Sequence, residues 1–270
     1  MSQVRKNQEL DGQIMATGTV RESLTQNDST VLSQIFDPES APTAGIHIDS
    51  SLPEDPSVLD PAELRFLKSQ ELQAIKMIEE LAASGGSRES REEAIDAAAH
   101  AITTLTTTHP RYASAYNNRA QMLRFRYGDN ILVNPASPPK DELRDAAEAL
   151  LRDLETAIAI TTPSSPTDSI SKTQARILAQ AHTQRGALFH NTAKALASSQ
   201  LEPSEALTTP HLFPGWSVEQ FEEASSRDFF LGGRYGNEIA RAMAVYTNPC
   251  AKLCGTIVQE AIRREFVGGA

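Results

Sequence analysis

Two cysteines, six histidines and a few arginine and amide side chains are what this chain offers for chemistry, and their spacing decides which chemistry. Cys250 and Cys254 stand four residues apart on a segment of helical periodicity. Side chains so placed share a face, but a disulfide within one turn is geometrically poor, and the pair reads as reduced thiols. A metal site would need two more ligands, and the nearest histidine, His211, is far away in sequence. The histidines are scattered, and His100 and His182 fall within helical patterns as ordinary helix residues. No G-x-S-x-G, no phosphate-cradling glycine loop and no histidine pair at ligand spacing occurs. Catalytic residues, a metal and a cofactor are therefore not expected. Recognition chemistry remains: Asn118 with Arg119, and Gln184 with Arg185, are the candidate partner-binding residues, since amides and guanidinium groups suit a polar or acidic peptide.

The elements that must position these residues are helices. Residues 113 to 129 carry a bulky Tyr116, a small Ala120 where a neighbouring helix approaches, a core anchor at Leu123 and a Gly128-Asp129 turn. That is the pattern of the first helix of a tetratricopeptide (TPR) unit. Its second helix spans about 141 to 161, with Leu150, Leu154 and Ala157 inward and Thr162-Pro163 as its stop. Upstream, Leu64, Leu67, Leu72, Ile75, Ile78 and Leu81 mark one helix ending at Gly85-Gly86. A second, from about Arg88 to Thr107, turns Ala94, Ala98, Ile102 and Leu105 inward. Downstream, Leu178, His182, Arg185, Gly186 and Phe189 repeat the signature register, and a helix over 217 to 231 presents Phe221, Ala224, Phe229 and Leu231. Gly186 follows Ala120 by 66 residues, where a TPR unit advances about 34. The excess is assigned to insertions at Asn130 to Lys140 and Ser164 to Ser169, and residues 198 to 216, with Trp216, interrupt the third unit.

The expected fold is all-α: three TPR helix pairs (62–108, 113–162 and 171–231) in a short right-handed solenoid, a C-terminal capping hairpin over 235–266 and an irregular N-terminal arm over 1–61. The second capping helix is expected from Asn248-Pro249 through Leu253, Ile257, Ala261 and Ile262. Within the arm, residues 28 to 36 form a short expected helix with Val31, Leu32, Ile35 and Phe36 on one face, either docked on the repeats as a plug or offered to a partner.

Charge narrows the partners. Residues 1 to 60 hold ten acids against three bases, so the arm carries most of the net charge of -10. Such an arm repels phosphate backbones and anionic lipid, so neither nucleic acid nor a membrane is an expected partner. No run of about eighteen apolar residues and no secretory leader is seen, and the expected location is the cytoplasm, with the nucleus as a second compartment. Ser137-Pro138, Thr162-Pro163, Ser165-Pro166 and Thr209-Pro210 mark candidate sites for proline-directed phosphorylation.

Four segments match something more particular than a generic repeat: Asn27-Asp28 with Val31-Leu32 and Ile35-Phe36-Asp37-Pro38; Ala113-Ser114-Ala115-Tyr116-Asn117-Asn118-Arg119-Ala120-Gln121; Gln184-Arg185-Gly186; and Asn248-Pro249-Cys250-Ala251-Lys252-Leu253-Cys254. In this order they resemble the tetratricopeptide repeat protein 36 family. The resemblance implies a small three-repeat cytoplasmic adaptor, co-chaperone-like, proposed to bind the seventy-kilodalton heat-shock chaperone and linked to control of tyrosine metabolism. The alternative is an accessory regulator that binds a metabolic enzyme. A two-carboxylate clamp for a chaperone tail needs Lys and Asn in repeat one, Asn in repeat two, and Lys and Arg in repeat three. Here only Asn118 fits: repeat one has no Asn between 62 and 90, and repeat three presents the neutral Gln180 and Gln184.

Overall fold

Pro61 opens the first helix, where its missing N–H would have had no intrahelical partner. The computed structural model describes residues 46–84, 87–133, 140–165, 167–198 and 212–248. Seven helices run through them. They are α1 (Pro61–Ser84), α2 (Arg88–Thr108), α3 (Ala113–Tyr127), α4 (Lys140–Thr161), α5 (Lys172–Ser198), α6 (Val218–Arg234) and α7 (Glu238–Thr247). Local signals set their ends. Ser87 caps α2 by accepting from the Ser90 N–H, Ser217 and Gln220 form a reciprocal capping box on α6, and Asn237 caps α7. Gly128 closes α3 at a φ of 83°, a left-handed conformation that a β-carbon disfavours.

The helices pack as successive neighbours, α1 on α2, α3 on α4 and α5 on α6. In addition α3 touches α5, and α5 touches α7. Contact between alternate helices is what stacks hairpins into a helical repeat. The central core joins Ala120 of α3, Leu150 and Leu154 of α4, Leu188 of α5 and Phe221 of α6, all fully buried. Leu67, Ala98 and Ile102 hold the first hairpin together. Close approach between α5, α6 and α7 depends on Gly232: a Cβ there would lie 2.8 Å from Thr183 Oγ1 and 3.0 Å from Ala240 Cβ.

Two expectations change. On α1 the apolar pattern places Leu72 inward, but Leu72 is exposed and Glu71 and Ala74 take the buried face, because Glu71 has hydrogen-bond donors waiting for it. The segment after α3, expected as an insertion from Asn130, instead drives Ile131, Leu132 and Val133 into buried positions. Three consecutive apolar residues would leave much surface in water if they stayed in an exposed loop.

The end of the arm braces the repeats. Ile48 forms a parallel β-bridge with Ile170, with Asp49 N–H donating to Ile170 O and Ile170 N–H to His47 O, both at 2.9 Å. Ser171 Oγ donates to Glu54 O at 3.0 Å, and Val58 is buried in the core of the first hairpin. The expected helix over 28 to 36, the helix stop at Gly85-Gly86, the last capping helix and both cysteines lie outside the described residues.

Candidate functional site

The four residues singled out by type divide into two sets that face different neighbours. Asn118 and Gln184 point toward the neighbouring first helices. Asn118 Nδ2 donates to Glu71 Oε1 of α1 at 2.9 Å, and Gln184 Nε2 donates to Asn117 Oδ1 of α3 at 2.9 Å. Glu71 also accepts from the hydroxyls of Tyr112 (2.6 Å) and Ser114 (3.1 Å). Burial pushes the Glu71 carboxyl above its ordinary range, with those three hydrogen bonds pulling it partly back. Burial, and then the neighbouring Glu71 charge, raises the Tyr112 phenol as well. Residue type and spacing alone do not single out Glu71 and Asn117. Glu71 is nonetheless findable, since it falls on the helical stripe between Leu67 and Ala74.

Arg119 and Arg185 turn instead to the second helix of their own hairpin. Arg119 holds Asp153 of α4 through Nε (2.7 Å) and Nη2 (2.6 Å), and its Nη1 donates to Thr106 Oγ1 of α2 at 2.8 Å. Arg185 holds Asp228 of α6 in the same bidentate way, at 2.7 and 2.8 Å. His182 Nδ1 lies 2.8 Å from Asp228 Oδ1. A carboxylate can only accept, so that ring nitrogen carries the hydrogen. The imidazole is stacked on Tyr235 with ring centroids 6.0 Å apart and planes at 7°. The two aspartates differ in consequence. Burial raises Asp153 above the usual carboxylate range against the pull of Arg119. Burial would do the same to Asp228, but the donors on Arg185 and His182 together outweigh it and hold the group below that range.

Each arginine also lines a cleft between consecutive second helices. The α2–α3–α4 cleft has a volume of about 320 Å³ and is mostly apolar, with Ile95, Met122 and Leu123 beside Arg119. The equivalent α4–α5–α6 cleft is larger, about 680 Å³, and mixed in character, with Ile158, Phe189, Trp216, Arg227 and Tyr235 beside Arg185. Trp216 is 37% exposed at its edge. Phe213 and Phe221 lie 4.7 and 5.0 Å from it by ring centroid, so the indole stands on a packed aromatic base. Volumes of this size fall in the range of binding sites. Among the described residues no cluster of three His, Cys, Asp or Glu side chains could hold a metal, and no helix is long and apolar enough to cross a membrane.

Comparison with known proteins fits this architecture. The chain is 39% identical over 265 residues to the L-tyrosine degradation gene cluster protein hmgX of Aspergillus fumigatus, covering 94% of this chain and 99% of the relative. It is 27% identical over 240 residues to tetratricopeptide repeat protein 36 of Danio rerio (88% and 92% covered), and 26% identical over 243 residues to that of Bos taurus (88% and 94%). The chain belongs to the tetratricopeptide repeat protein 36 family. No protein-family model and no solved structure matches it. Within this family member, the clefts floored by Arg119 and Arg185 are the candidate binding surfaces, and the larger one carries the exposed tryptophan.

Proposed function

We propose that this chain is a non-catalytic protein-binding adaptor that acts in tyrosine degradation as the accessory regulator of an enzyme of that pathway, docked in the α4–α5–α6 cleft. The observation that carries the docking surface is Trp216, a large ring half-presented over a fixed aromatic base at the edge of a wide cleft. Such rings are the usual anchors of protein interfaces. The pathway is supported by the relative named for the tyrosine degradation gene cluster, which aligns along nearly its whole length. On this reading the protein works in the cytoplasm, and neither nucleic acid nor a membrane takes part.

The co-chaperone reading is weaker. Asn118, the one residue that fits a carboxylate clamp, already donates to the internal Glu71 carboxylate. A chaperone tail would have to displace that buried group or bind beside a like charge. The test is affinity capture of the tagged full-length chain from cells degrading tyrosine. A tyrosine-degrading enzyme recovered in near-equal amount, and lost with Trp216→Ala, is the expected result. Recovery of a chaperone alone, unaffected by Trp216→Ala, would return the function to the co-chaperone reading.

A further inference from the structure

Of the Ser/Thr-Pro pairs in the sequence, the one at Thr162-Pro163 stands where a modification would meet opposite charge. Thr162 is exposed just beyond the last residue of α4, its hydroxyl donating to Ile158 O at 2.7 Å, and it lines the α4–α5–α6 cleft. The opposite wall carries Arg227, which is exposed and has no hydrogen bond or ion pair among the described residues. The floor carries Arg185, whose Nε and Nη2 are fixed on Asp228 while Nη1 has no protein partner among those residues. Glu223, one turn from Arg227 on the same wall, is an opposing charge, as is Glu155 of α4, whose carboxylate acts on Arg185; Asp228 is already engaged by Arg185 and His182.

We propose that Thr162 is a phosphorylation site for a proline-directed kinase, and that Arg227 and Arg185 hold its phosphate across the cleft and so close it. In the transfer, the Thr162 Oγ1 attacks the γ-phosphorus of ATP. The new O–P bond forms as the bond to the β,γ-bridging oxygen breaks. ADP leaves with that electron pair, and the hydroxyl proton passes to the base of the kinase. A phosphate brings nearly two negative charges and three acceptors, well matched to a pair of guanidinium groups. Its position at a helix C-terminus works against it, because the helix dipole repels an anion there. The sign of the stability change therefore shows whether the arginines receive it. The inference goes beyond the adaptor reading and stands on the cleft alone, whatever partner is found.

The experiment treats the folded full-length chain with a proline-directed kinase and Mg-ATP, maps the phosphate by mass spectrometry and measures thermal unfolding, with Thr162→Ala treated in parallel to subtract the other sites. The expected result is phosphate on Thr162 and a raised unfolding midpoint. That rise should be abolished in Arg227→Gln and enlarged in Glu223→Gln. Thr162 left unmodified in the folded chain, while the urea-unfolded chain is modified there, would overturn the site. A midpoint lowered by phosphate, or raised equally in Arg227→Gln, would overturn the arginine clasp.

Discussion

Asp228 closes the polar interior of the third hairpin, taking two hydrogen bonds from Arg185 and one from His182 while itself 2% exposed. Removing one partner of a buried ion pair leaves the other uncompensated, which costs about 3–5 kcal/mol. Asp228→Ala is expected near the top of that range and Asp153→Ala nearer the bottom, since Asp153 strands one cation and no imidazole; urea denaturation of both variants measures the order. Glu71 gives a pH signature. Its pKa is raised on folding from an ordinary value of 4.5, so between 4.5 and the folded pKa the unfolded chain has lost a proton that the native state keeps. Stability contributed by this group is full below pH 4.5, falls as pH rises through that window and is constant above it. Glu71→Gln is expected to remove that fall, which unfolding curves across the pH range would show as wild type losing ground to the variant as pH rises. At this scale the sequence points to Arg119 and Arg185 by repeat register but not to Asp153 and Asp228, because an acid beside core positions looks like an exposed residue until its cation is placed.

Helix order, helix type and most inward positions are legible in the sequence, because Leu150, Leu154, Ala157, Leu178 and Phe221 keep the 3.6-residue stripe and are buried as that stripe requires. What is not legible is long-range. Ile131, Leu132 and Val133 lie between proline-rich and helical segments with no periodicity of their own, and only the neighbouring hairpins supply the hole that Ile131 and Leu132 fill. Leu132→Ala should therefore behave as a core mutation, losing about 3 kcal/mol in chemical denaturation; a loss under about 0.5 kcal/mol, as for a surface residue, would mean that the segment is a loop. Gly232 likewise looks like an ordinary helix glycine in sequence. With Thr183 and Ala240 already within 3.0 Å of the place a β-carbon would take, Gly232→Val is expected to lower stability by about 2 kcal/mol through overpacking between α5, α6 and α7. Thermal or urea unfolding of the variant checks this.

As a whole molecule, the protein stacks helical hairpins so that each first helix is tied sideways to the next by amides and Glu71, while α3 and α5 are each tied to their own second helix by a buried Arg–Asp pair. Those ties leave the two sides of the stack different in character. The first-helix side is internally satisfied around Asn118, whereas the second-helix side opens into clefts, the larger edged by Trp216. The most direct test of that division is amide hydrogen exchange on the full-length chain, with and without the tyrosine-degrading enzyme proposed to dock there. Protection gathered at the end of α4 around Ile158 to Thr162 and along α6 is the expected result. Protection absent there and confined to α1 and α3 around Glu71 and Asn118 would contradict the account and assign binding to the first-helix side.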